Sequence, residues 1–114
     1  TIMIHWFGYT TGGECFHEQK SSSARELLED LIDEDVIDAY WVPGSDSAVY
    51  LAEHYDEFAE VYQQGDASAV KRFNFNNLFN QMSEMDILRL IRACDDQAYE
   101  QRFIVDGEEI LIEE

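Results

Sequence analysis

The chain has 114 residues, 46% of them hydrophobic, with fifteen aromatic side chains and a formal net charge of −18 from 25 Asp and Glu against 7 Lys and Arg. That length is one domain, long enough to bury roughly two thirds of its unfolded surface, and the aromatic content excludes the disordered acidic class, which pairs high charge with few aromatics. The charge also argues against direct binding of nucleic acid, whose phosphates call for Lys and Arg, and against an anionic membrane surface.

In chain order, Ile2 to Tyr9 reads as a strand rich in Ile, Trp, Phe and Tyr. Thr11-Gly12-Gly13-Glu14 is a turn signal, with Cys15 to Glu18 returning as a short second strand. Ser23 followed by Glu26 makes a capping box for a helix carrying Ala24, Leu27, Leu28, Leu31 and Ile32 on one face. Val36 to Val42 reads as a strand ended by Pro43-Gly44, sharing a sheet with the first strand. A second helix starts between Ala48 and Glu53, with Leu51, Tyr55, Phe58, Ala59 and Tyr62 inward, and Gly65 stops it. Asp66 caps a short third helix through about Phe73. Residues 73–81, FNFNNLFNQ, fit either a short helix or an ordered loop.

Ser83 opens a further helix with Ile87, Leu88, Ile91 and Cys94 inward. Asp106-Gly107 between the apolar runs Ala98 to Val105 and Glu108 to Glu113 is a strong hairpin signal. The expected fold is therefore α+β: an antiparallel sheet made from the N-terminal hairpin, strand 36–42 and the C-terminal hairpin 98–113, packed against three to four helices. Ile110-Leu111-Ile112 ends the chain on an apolar strand that needs a cover, which makes a homodimer an expectation as well.

The most informative feature is a run of 45 residues, Glu26 to Val70, with thirteen carboxylates and no Lys or Arg. A solvated helix ordinarily mixes Glu with Lys at i, i+4, which stabilises it; within this run neither acidic helix has such a partner. Unpaired charge of this density repels itself, and a strongly basic partner would offset that. In the first helix the carboxylates recur at three- and four-residue steps, about 5–6 Å apart. Phosphates along a nucleic-acid strand are separated by a distance of the same order. The expected partner-binding set is Glu26, Asp30, Asp33, Glu34, Asp38, Glu53, Asp56, Glu57 and Glu60. Tyr40, Trp41, Tyr50 and Tyr55 would supply the aromatic anchors that interfaces favour.

Catalytic and metal motifs are weak by comparison. Cys15 and His17 alternate to the same face of a strand, but a thiol nucleophile also needs a third group to orient its base. Glu14 and His17 have Glu-x-x-His spacing, which shares a face only on a helix. Asp30, Asp33, Glu34, Asp35 and Asp38 lack the central Gly and terminal Glu of a calcium loop. Gly12-Gly13 lacks the length and the Lys of a phosphate loop. No catalytic residue, metal or cofactor is expected. Cys15 and Cys94 are far apart and in no redox spacing, and the start Thr1-Ile-Met-Ile has no basic n-region. Both point to a cytoplasmic chain with reduced thiols, with a single Cys15–Cys94 disulfide as the alternative.

In size, charge and interleaved carboxylates and aromatics, mainly over residues 24–66, the chain resembles the small DNA-mimic inhibitors of phages and mobile elements, the antirestriction and anti-CRISPR proteins. It is also similar in kind to immunity proteins that neutralise basic nuclease toxins. The resemblance implies a non-enzymatic protein that binds the nucleic-acid surface of a basic protein or nuclease complex. It carries over no individual functional residue. Toxin immunity and a small metal- or thiol-dependent enzyme stand as alternatives.

Overall fold

The computed structural model describes residues 2–37, 55–93 and 100–112. The chain divides into two compact units, Thr1–Ile37 with Ser83–Glu114, and Asp38–Met82. The fold is α+β.

In the first unit, strands β1 (Ile4–Tyr9), β2 (Cys15–Ser21), β3 (Glu100–Val105) and β4 (Glu108–Ile110) form an antiparallel sheet in the order β2-β1-β3-β4. The strand period of two sorts β1 into Ile4, Trp6 and Gly8, which are buried, and His5, Phe7 and Tyr9, which are half-buried. Across the ladder Trp6 pairs with Phe103, also buried. Gly8 is required by close packing: a Cβ there would lie 2.5 Å from the Trp6 ring and 3.0 Å from the Phe16 ring.

Helix α1 (Ala24–Asp33) packs on β1 and β2 and against helix α4 (Glu84–Ala93). Ala24, Leu27, Leu28 and Leu31 are fully buried, and Ile87, Leu88, Leu90 and Ile91 are the buried residues of α4. Each buried Leu or Ile stabilises the fold by about 1.5–3 kcal/mol. The Ser23 hydroxyl accepts from the Glu26 N–H at 3.1 Å, as a capping box requires. The reciprocal arm differs from the expected one, since the Glu26 carboxylate accepts from the N–H and hydroxyl of Ser22 instead of the Ser23 N–H. Helix α1 also begins one residue before Arg25, so its first turn does contain a cation.

The C-terminus of α1 explains why no strand begins at Val36. Asp35 takes φ 58°, the left-handed conformation that ends helices. The N–H groups of Val36 and Ile37 then both donate to the Leu31 carbonyl, at 2.9 and 3.1 Å. Both side chains are buried. They are spent closing the helix, and they form a bend. Asp38 to Val42, the remainder of the expected strand, lies outside the described residues. Both neighbours of β1 are already supplied, by β2 and β3.

In the second unit, helix α2 (Tyr55–Gln63) precedes Gly65, whose φ of 71° suits only glycine well. The expected start of α2 near Ala48 lies outside the described residues. Asp66 caps helix α3 (Ala67–Asn77), accepting from the N–H groups of Ser68 and Ala69 at 3.0 and 3.4 Å. Helix α3 runs past Phe73 because the ambiguous stretch has helical spacing: Val70, Asn74, Phe75 and Leu78 are all buried. A 3-10 turn, Phe79–Gln81, follows, with Phe79 edge-on to Phe75 at 4.9 Å.

Candidate partner-binding surface

On α1, Glu26, Glu29, Asp33 and Glu34 are exposed. Asp30 is half-buried and accepts from the Ser21 hydroxyl at 3.0 Å, so it ties the helix to the end of β2. Glu34 closes the helix, donating its backbone N–H to the Asp30 carbonyl at 2.9 Å. The buried Leu27, Leu28 and Leu31 fix which way the helix is turned, and this is what holds Glu26, Glu29, Asp30 and Asp33 together on the other side.

Asp56, Glu57 and Glu60 are exposed on α2, in the second compact unit. The expected set is thus divided between two units. Asp38 and Glu53 lie outside the described residues, as do Tyr40, Trp41 and Tyr50; Tyr55 opens α2.

The Cys15 and His17 pair is separated by a β-bulge. Gly8 pairs with His17, but Tyr9 pairs with Cys15, leaving Phe16 as the extra residue. Cys15 therefore falls opposite the outward Tyr9, whereas His17 falls opposite the buried Gly8. The exposed Cys15 thiol contacts the His17 carbonyl at 3.5 Å. The His17 ring bonds the Gln19 side chain at 3.1 Å. An uninterrupted strand would have put Cys15 and His17 on one face, and the extra residue prevents it. Cys94 lies outside the described residues.

No protein-family model and no curated protein matches this sequence.

One feature of the surface goes beyond the sequence reading. The outward side of the sheet carries an aromatic row: His5 and Phe7 ring centroids lie 4.1 Å apart, and Phe7 and Tyr9 6.5 Å apart. The Arg102 guanidinium sits 5.3 Å from the Tyr9 ring centre, while Glu100 and Glu109 each stand 3.8 Å from its Nε. The His5 Nε2 meets Glu18 at 2.9 Å. The alternation in Ile4–Tyr9 was the available signal, once Trp6 is assigned to the core. Of the apolar segment Ile110-Leu111-Ile112 that the sequence singled out, Leu111 is 82% exposed and Ile112 is buried. Among the described residues no helix is long and apolar enough to cross a membrane.

Proposed function

We propose that the protein is a non-enzymatic acidic inhibitor, which binds the nucleic-acid-binding surface of a basic protein or nuclease complex in place of DNA or RNA. The observation that carries this reading is the run Glu26 to Val70, thirteen carboxylates without a cation, in a chain that nonetheless folds. The exposure of Glu26, Asp33 and Glu34 on α1, and of Asp56, Glu57 and Glu60 on α2, supports it. Carboxylates three and four residues apart on a helix are about 5–6 Å apart. They can meet Lys and Arg side chains that otherwise hold successive phosphates.

The physics of such an inhibitor is specific. Long-range attraction between a chain of net charge −18 and a basic groove accelerates encounter and weakens steeply with salt. The stability of the complex rests on desolvated anchors more than on rim charges. The role assigns no catalytic residue and no cofactor.

Charge reversal tests the reading. The triple variant Glu26→Lys, Asp33→Lys, Glu34→Lys should lose salt-sensitive association with a basic nucleic-acid-binding protein while staying folded, at a cost of about 1 kcal/mol from the lost Ser22–Glu26 cap. Retention of full binding by a folded triple variant would refute a role for the α1 surface.

A further inference from the structure

We infer that the edge of β4 that no described strand covers is a strand-addition site, which takes an extended segment of a basic protein with Lys or Arg alternating with apolar residues. The inference rests on the basic partner proposed above and adds where its backbone is held.

The turn geometry decides which atoms are free. Asp106 and Gly107 both have positive φ, 51° and 85°, which is the type I′ hairpin turn. Such a hairpin closes on a hydrogen-bonded pair, Val105 with Glu108, and the pairs alternate from there. Ile104 with Glu109 is then the pair that exchanges no hydrogen bonds. The Glu109 N–H and C=O accordingly point away from β3. Among the described residues no strand lies on that side of β4. An edge of this kind is a template for another strand.

The side chains there state the preference. Leu111 is the most exposed large hydrophobic residue described, and a cavity of about 500 Å³ beside it is lined by the apolar Phe103, Ile110, Leu111 and Ile112 and by the polar or charged Arg92, Glu100, Gln101, Arg102 and Glu109. Its apolar lining suits an apolar side chain of an added strand. Among the described residues from Asp106 on, the ionisable ones are three carboxylates, Asp106, Glu108 and Glu109, with Arg102 of β3 reaching Glu109 at 3.8 Å. A second copy would bring three more against them, and facing like charges destabilise a strand pair. A segment with Lys or Arg at alternate positions offsets the same charge.

The probe is a labelled heptapeptide of alternating Lys with Val and Ile, titrated by fluorescence anisotropy, with an all-Lys peptide of equal length as control. Glu109→Pro removes the outward N–H at an edge position where proline is tolerated, and Glu109→Gln removes the charge alone. Saturable binding is expected for the alternating peptide, at least about tenfold weaker for Glu109→Pro than for Glu109→Gln. Amide shifts should centre on residues 108–112. Leu111→Ser gives the same loss if the proline variant melts early. The inference is overturned if the alternating peptide binds no better than the all-Lys control. It is equally overturned if the melting-competent Glu109→Pro and Leu111→Ser variants bind as the wild type does. Concentration-dependent dimers that Glu109→Pro dissolves would show a second copy as the occupant and overturn it too. The α1 triple variant separates the two ideas: its failure to alter capture of a basic protein refutes the helix surface and leaves the peptide result standing.

Discussion

The Glu84 carboxylate accepts a hydrogen bond from the Ala24 backbone N–H at 2.8 Å, across sixty residues of sequence. One donor at the N-terminus of α1 is thus satisfied by a carboxylate from the first turn of α4, where a negative charge also suits the helix dipole. The contact couples the two helices at the end where their packing begins. Glu84→Ala should lower stability by about 1 kcal/mol. In a domain of this size that is a fall of about 4–8 °C in melting temperature by circular dichroism. Glu84→Gln, which can still accept, should lose less.

Gln101 links the sheet to α4. Its Oε1 accepts from the Trp6 indole N–H at 3.0 Å, and its Nε2 donates to the Ile91 and Arg92 carbonyls at 3.2 and 3.4 Å. Trp6 is 1% exposed, so its N–H has no recourse to water. Gln101→Leu leaves that donor unmade and should destabilise by about 1–3 kcal/mol. Chemical denaturation would show it as a lower midpoint with an unchanged slope.

At Gly8 the expected outcome is steric. An added methyl meets the Trp6 ring at 2.5 Å, inside any normal contact distance. Gly8→Ala should destabilise by about 1–3 kcal/mol, the range for overpacking a core. Trp6 fluorescence should shift as its ring is displaced.

These three positions show what the sequence could and could not convey. The α1 and α4 stripes were legible because Leu27, Leu28, Leu31, Ile87, Leu88 and Ile91 recur at helical spacing. The caps Ser23, Asp66 and Ser83 and the turn Asp106-Gly107 were legible because each needs a specific residue type. Contacts set by the tertiary fold were not. The reach of Glu84 to Ala24 and of Gln101 to Trp6 depends on which elements become neighbours. The bulge at Phe16 has no local marker, and Val36-Ile37 has the composition of a strand start while its backbone closes a helix. Of the acidic surface, sequence showed the charge and its helical spacing. It did not show that Asp30 is drawn toward Ser21, or that the α1 and α2 sets belong to different compact units.

Like-charge pairs at i, i+4, such as Glu26 with Asp30, Glu29 with Asp33 and Asp56 with Glu60, each destabilise a helix by about 0.2–0.5 kcal/mol at low salt. Screening should therefore stabilise this protein. Raising NaCl from about 0.05 M to about 1 M shortens the screening length from more than 10 Å to about 3 Å. The melting temperature should rise by several degrees, on the order of 1 kcal/mol in stability. A flat or falling melting temperature would mean that the carboxylates are already compensated within the fold.

The central claim is that the acidic surface takes the place of nucleic acid on a basic partner. The most direct measurement is capture from lysate at low salt, followed by a competition assay in which the captured protein's nucleic-acid binding is titrated with this chain. Recovery of a basic nucleic-acid-binding protein that salt releases is expected. This chain should displace its nucleic acid stoichiometrically, and the Glu26→Lys, Asp33→Lys, Glu34→Lys variant should not. Capture of nothing basic at low salt, or of a partner whose nucleic acid stays bound at saturating inhibitor, would contradict it.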